Sequence, residues 1–325
     1  MPADHSAAKV SPILTRPRLQ LGRWLRLSLG LGLLALLARI VNWAEITPLF
    51  AGLGWAFVAL ALALKGVSLL LSGLRWQIVL RAGGSAVPLR RLVRHYWVML
   101  FFNNFVPTMV GADAIRVLML NETRSPALRV VSVLVERLFG LVALLSFAAL
   151  ALWTRPELLQ YTTLSFAALT ALAGTVGLLG AILLPELWWW ALRWIERFPR
   201  LGHLIHEVYQ AGRQYRRAGR TLLLTVVISV LIQVLVIVSF GLRVRALGLE
   251  IGLIELGLVV PVTVLLTLIP ITPGGWGTQE GLYLLILGTI GISPENALAI
   301  ALLSRVLDVV FSAFGGLLWA LERHP

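Results

Sequence analysis

Residues 271–281 read ITPGGWGTQEG, which sets Pro273, Gly274, Gly275, Gly277 and Glu280 in the middle of an otherwise apolar run. In hydrocarbon every unpaired N–H or C=O costs several kcal/mol, so a proline-glycine-glycine break is tolerated only where protein or trapped water satisfies the freed groups. The stretch is therefore expected to line a cavity, and a cavity at that depth reads as a site. The run does lie in a membrane: 58% of the 325 residues are hydrophobic and only 13% are charged, with a mean hydropathy of +0.88. Those values define an all-α polytopic membrane protein with one membrane domain.

The net charge of +13 would suggest nucleic acid in a soluble chain. Here the arginines cluster in loops beside apolar spans, as topology and anionic headgroups require, so nucleic acid is rejected as a partner and membrane lipids are expected. The absence of cysteine excludes disulfides, thiolate metal sites and cysteine nucleophiles, and fits a bacterial inner membrane. Arg16, Arg18, Arg23 and Arg26 precede the first apolar run without a convincing cleavage site, which gives an uncleaved first span. The expected layout is a basic cytoplasmic tail over residues 1–24, a transmembrane domain over 25–321 and a short tail over 322–325.

Six spans follow from the apolar runs: Leu27 to Val41, Trp55 to Leu74, Val130 to Trp153, Thr162 to Leu184, Thr221 to Leu242 and Ala297 to Leu321. Two further stretches, Tyr96 to Leu120 and Leu253 to Ile292, are broken by Pro107 with Gly111 and by Pro270 with Pro273 to Gly277. About 20 apolar residues are needed to cross, so their limbs read as re-entrant hairpins. The basic excess falls before residue 27, between Arg75 and Arg94, over Asn121 to Arg129, and over Pro185 to Arg220 with its seven arginines. These segments are expected in the cytoplasm with both termini; Arg243 and Arg245 are the exception. On that parity the hairpins dip from opposite sides, as an inverted repeat would have them.

Charges inside apolar stretches carry the chemistry, since each costs from a few to more than ten kcal/mol unless it faces a bundle interior or a wet cavity. Asp113 with Arg116, and Arg305 with Asp308, stand at i,i+3 and are expected to neutralise each other. They either contact substrate or clasp helices together. Glu136 and Arg137 point about 100° apart on a helix and need partners elsewhere. Lys65, one of two lysines in the chain, lies halfway along its span. Asn103 and Asn104 suit capping of a broken helix better than ligand contact. Trp188, Trp189, Trp190 and Trp194 suit an interfacial anchor.

No phosphate-binding loop, H-E-x-x-H or G-x-S-x-G motif occurs, so the sequence supports neither an enzyme nor a cofactor. The segments FFNNFVPTMVGADAIRVLML, SVLVERLFGL, IPITPGGWGTQEG and LLSRVLDVV, in that order and spacing, resemble the membrane region of the lysylphosphatidylglycerol synthase family, a group of flippase-like membrane proteins. In the full-length synthases that region is thought to move an aminoacylated phospholipid between leaflets, while a separate soluble domain attaches the amino acid. This chain ends at Pro325 without such a domain, so the resemblance implies a stand-alone lipid translocator whose cargo need not be lysyl-lipid. It also implies hopanoid or polyprenyl lipids as candidate cargo, and lipid-modifying or glycosyltransferase enzymes as candidate partners. Carried over by position, Asn103, Asn104, Pro107, Gly111, Asp113, Arg116, Glu136, Arg137, Pro273, Gly274, Gly275, Glu280 and Arg305 match its motifs.

The expected mechanism places a lipid headgroup in a polar groove at the hairpin tips. Arg137 and Arg305 contact its phosphate, while Asp113, Glu280 and Asp308 balance those arginines, contact any cationic part of the headgroup, or titrate. The alternatives are a membrane scaffold for lipid- or envelope-modifying enzymes and a secondary transporter of a small anion.

Overall fold

The computed structural model describes residues 39, 43–106, 109–120, 126–160, 162–184, 215, 219–269 and 271–321. Among the described residues there are ten α-helices and no strands. They are α1 (Trp43–Ala51), α2 (Trp55–Ala82), α3 (Leu89–Asn103), α4 (Met109–Met119), α5 (Pro126–Thr154), α6 (Thr162–Leu183), α7 (Gly219–Ala246), α8 (Leu253–Leu266), α9 (Thr278–Thr289) and α10 (Pro294–Ala320). Four of them contain stretches long and apolar enough to cross a bilayer: Trp55–Ala82, Leu128–Thr154, Gly219–Ala246 and Pro294–Ala320. At 1.5 Å per residue, 28 residues reach about 42 Å against a hydrocarbon core of about 30 Å. Their outer faces stay apolar: Leu60, Val67 and Leu70 on α2, and Leu223, Val227 and Leu231 on α7, are exposed. A helix that is apolar on its exposed as well as its packed face is solvated by lipid.

The expected spans are recognisable in α2, α5, α6, α7 and α10, with one instructive difference. The charged segment from Arg75 to Arg94, expected as a loop, is mostly helical: α2 continues to Ala82 and α3 begins at Leu89. Arg75 is buried within α2. Hydropathy ends a span at the first arginine, but an arginine whose charge is matched by a carboxylate on another helix does not end it. Apart from residue 39, the first expected span lies outside the described residues, as do Pro107, Pro270 and the tryptophan-rich segment 185–200.

The chain's path can be followed from contacts between helix ends. The Gly54 N–H donates to the Ala246 carbonyl at 2.8 Å, so the start of α2 meets the end of α7 and the two helices run antiparallel. From the far end of α2 the chain turns back into α3, breaks after Asn103, and returns through α4. Residue Gly83, just past α2, lies against Leu128 of α5, so this helix pair enters and leaves at one end of the bundle. The pair α8 and α9 begins from the end of α7, at the opposite end. Ser312 of α10 meets Asn104, and Gly315 lies against Trp97 farther down α3. Helix α10 therefore starts at the second pair's end and runs toward the first pair's base. None of the four limbs, at 15, 11, 14 and 12 residues, reaches the length of a crossing.

The two breaks meet. The Gly274 N–H donates to the Val106 carbonyl at 3.0 Å, and Trp276 Nε1 donates to the Asn104 carbonyl at 3.3 Å. The approach of opposed helix pairs is thus fixed by backbone contact between their tips.

Helix α10 is pressed on α3 just as closely. A Cβ at Gly315 would lie 1.9 Å from the Trp97 carbonyl oxygen, whereas one at Gly177 in α6 would meet nothing within 4 Å. Gly315→Ala is expected to destabilise the fold by about 1–3 kcal/mol, the range for overpacking, and Gly177→Ala to leave it unchanged. Melting curves of the purified variants in detergent check this; equal melting of the two would contradict the close packing.

Candidate functional site

The PGGWG loop takes a form only its own residues allow. Pro273–Gly275 make a single 3-10 turn, and Gly274, Gly275 and Gly277 have φ of 61°, 69° and 78°, in the left-handed region that favours glycine. At Gly274 a Cβ would also stand 2.1 Å from the Asn104 carbonyl oxygen. The carbonyls of Gly274 and Gly275 freed by this turn are met by one side chain. Arg305 donates from Nη1 to the Gly274 carbonyl at 2.9 Å, from Nη2 to the Gly275 carbonyl at 2.9 Å, and from Nε to Glu280 Oε1 at 2.7 Å. Its guanidinium also lies 4.8 Å from the Trp276 ring. Glu280 Oε2 accepts the Gly277 N–H at 2.8 Å, so the same carboxylate caps α9 and neutralises Arg305. Thr272 Oγ1 closes the loop on the Trp276 carbonyl at 2.8 Å.

At the other tip Asn104 acts as a cap. Its Nδ2 donates to the Phe101 carbonyl at 3.0 Å and to Ser312 Oγ at 2.9 Å.

Between these tips and helices α2, α7, α8 and α10 lies a cavity of about 290 Å³. Of the sequence-predicted residues, Asn103, Asn104, Gly274, Gly275, Arg305, Asp308 and Lys65 line it, with Glu280 behind Arg305. The expected Arg305–Asp308 pair does not form. Asp308 Oδ1 instead takes Lys65 Nζ at 2.5 Å and lies 3.1 Å from Arg243 Nη2. Arg305 is held by the loop one turn away, where backbone carbonyls and Glu280 offer it three acceptors. Arg243 is the functional candidate that the sequence reading missed, and its signal was visible as the arginine that broke the charge bias of the loops. Gln279 and Tyr283 from α9 also line the cavity.

Asp113, Arg116, Glu136 and Arg137 belong elsewhere; neither they nor Gly111 line the cavity. The i,i+3 pair does form, with Arg116 Nη2 on Asp113 Oδ1 at 2.6 Å. Glu136 and Arg137 find their partners off their own helix, as their divergence on α5 requires. Glu136 accepts from Arg116 Nη1 at 3.0 Å, from Tyr96 at 2.5 Å and from Arg75, whose Nε stands 3.1 Å away. Arg137 Nε donates to Asp113 Oδ2 at 2.5 Å. Arg75 also reaches Ser229 on α7 at 3.0 Å, and the Arg116 guanidinium packs 4.2 Å from Tyr96 and 4.9 Å from Trp76. The network ties α2, α3, α4, α5 and α7 together. On α2, ten residues separate Lys65 at the cavity from Arg75 in the network, about 15 Å of helix.

The fold and this polar interior define an integral membrane protein in which two opposed, broken helix pairs enclose a charged cavity. A family model for the lysylphosphatidylglycerol synthase TM region matches residues 23–316, and the chain belongs to that family. Among curated proteins it is similar to two UPF0104 membrane proteins of Methanothermobacter thermautotrophicus. One is 26% identical, with 88% of this chain and 91% of the relative covered; the other is 23% identical, with 88% and 89% covered. A UPF0104 membrane protein of Methanocaldococcus jannaschii is 23% identical, with 80% of this chain and 82% of the relative covered. No solved structure matches the chain.

Glu136 is 1% exposed and answers to two arginines. Glu136→Gln leaves buried cations unmatched, and breaking such a pair costs about 3–5 kcal/mol. The expected result is loss of monodisperse protein or a large drop in melting temperature, with a much smaller change for Asp308→Asn at the cavity wall. Wild-type melting in the Glu136 variant would show that the network does not clasp the helices.

Proposed function

We propose that the protein moves the polar headgroup of a membrane lipid between leaflets through the cavity, while the acyl chains remain in the bilayer. The observation that carries this reading is the meeting of two opposed helix breaks at a charged cavity flanked by lipid-facing helices. Desolvation of the headgroup is the main barrier to flipping, and a polar cavity at mid-depth lowers it. In this reading the two broken pairs are re-entrant hairpins, both termini lie in the cytoplasm, and the chain acts without a cofactor or enzymatic step.

Two features favour a lipid over a soluble solute. The cavity volume of about 290 Å³ sits at the lower end of the range of roughly 300–1,000 Å³ for small-molecule sites, enough for a headgroup and too little for acyl chains. Its rim is apolar and outward facing: Ile269 and Ile271 line the cavity and are exposed, and Phe105 and Trp276 at the tips are also exposed. Tips at mid-bundle height face hydrocarbon rather than water, which suits a lipid whose chains stay outside.

Translocation of a fluorescent phospholipid in reconstituted vesicles tests the reading. Flux per folded protein should exceed that of protein-free vesicles and fall at least tenfold in Arg305→Lys. The ammonium keeps the charge there but lacks the planar fork that bridges Gly274, Gly275 and Glu280. Flux at the protein-free level in the wild type would refute a translocator. Undiminished flux in the folded variant would remove the loop from the mechanism.

A further inference from the structure

The charges of the cavity do not balance, and the imbalance identifies what enters it. Arg305 and Glu280 neutralise each other, and the Arg305 fork is taken up by Glu280 and the carbonyls of Gly274 and Gly275. What remains facing the cavity is Lys65 from α2, Arg243 from α7 and Asp308 from α10. Two cations thus share one carboxylate, and both converge on the same oxygen, Asp308 Oδ1, at 2.5 Å and 3.1 Å.

Arg243 is the less satisfied of the two cations. It is only 8% exposed, lines the cavity, and its Nε is buried without a hydrogen-bond partner. Its ionic contact is Nη2 on Asp308, whose Oδ1 it shares with Lys65, so the two cations are short of acceptors, and an unmatched buried donor is costly to leave dry. A phosphate or phosphodiester supplies two or more oxygens in the geometry that a guanidinium edge accepts. Asp308, with a side chain 36% exposed, is placed to give up its cations to a stronger anion and to receive them back when the anion leaves.

We infer that Arg243 and Lys65 form the anion-binding pair of the cavity and that Asp308 is their resident counterion, displaced by the phosphate of the cargo. The inference rests on the cavity being the ligand site and deepens that reading: the cargo's headgroup is anionic, a phosphate ester without a compensating amine. A cationic or zwitterionic headgroup would bring a positive group into a cavity that already carries one in excess. Arg305 by contrast is a positioning residue that holds the loop.

Binding of short-chain lipids to the purified full-length chain in detergent, followed by tryptophan fluorescence, tests this. Dihexanoyl phosphatidylglycerol should bind at least tenfold more tightly than dihexanoyl phosphatidylcholine. Arg243→Gln should weaken phosphatidylglycerol binding at least tenfold, Lys65→Met should weaken it severalfold, and Asp308→Asn should tighten it, because the competing carboxylate is gone. A clasp of purely structural purpose predicts the reverse for Asp308, with binding weakened as the triad loosens. Equal affinity for the two lipids, or Arg243→Gln within twofold of wild type in protein of unchanged melting temperature, would overturn the inference. Should Arg243→Gln fail to fold, Asp308→Asn decides by itself: tighter binding supports the exchange, and unchanged or weaker binding refutes it. Inorganic phosphate separates the two sources of the same chemistry. If phosphate alone competes at the affinity of phosphatidylglycerol, the Arg243 site stands and the lipid reading falls, and only the vesicle assay bears on transport itself.

Discussion

Everything in the interior of this protein follows from one requirement: backbone freed by a broken helix in an apolar medium must find partners within the protein. The second break frees carbonyls at Gly274 and Gly275, and a single guanidinium answers both while its third nitrogen is held by Glu280. The same carboxylate caps the helix that resumes after the break. Remaining groups are met across the tip contact, where Val106 accepts from Gly274 and Asn104 accepts from Trp276. In hydrocarbon the alternative to each of these bonds is an unpaired polar group at several kcal/mol. The breaks can therefore exist only where they touch each other and α10, and that condition creates the cavity.

The second polar cluster does a different task with similar material. Arg75, Arg116 and Arg137 meet Asp113 and Glu136 on three helices, and Tyr96 from α3 and Ser229 from α7 add further hydrogen bonds. A buried ion network of this kind adds little stability over a well-packed apolar core, but it penalises any arrangement that separates its members. It is suited to fixing the register of the first helix pair against α2, α5 and α7. Trp76 and Tyr96 flank the Arg116 guanidinium, so that end of the network is covered by aromatic rings, while the Arg137 side chain at its other end is 31% exposed.

Much of this was legible in the residues alone, and what was not has physical causes. Long apolar runs gave the spans because exclusion from water is additive along a helix, and Pro273 with its glycines gave the break because left-handed backbone has few other solutions. The i,i+3 spacing of Asp113 and Arg116 gave a true pair. The same spacing misled at Arg305 and Asp308, because spacing shows which groups can meet but not which better partners arrive from elsewhere in the chain. Arg305 is drawn to the loop carbonyls, and Asp308 to Lys65 and Arg243, residues 243 and 65 positions away in sequence. Arg75 was misplaced for a related reason: a hydropathy window reads its charge but not Glu136, 61 residues away, which cancels it. Long-range pairing is the part of a membrane protein that a local pattern does not carry.

The two clusters also show why charge inside a membrane span is a weak guide to a binding site. Each contains three cations and two carboxylates: Arg75, Arg116 and Arg137 with Asp113 and Glu136 in one, Lys65, Arg243 and Arg305 with Glu280 and Asp308 in the other. Desolvation penalises both alike. Access separates them. In the first, Glu136 and Arg116 are almost wholly enclosed, and their charges are consumed by one another. In the second, all three cations and one carboxylate line a cavity with an apolar, exposed rim. A cluster that is enclosed is suited to holding helices, and one that is reachable is suited to a ligand. By that distinction Arg243, which loop-charge counting could only record as an exception, belongs at the centre of the proposed site, and the more conspicuous Arg305 belongs to its frame.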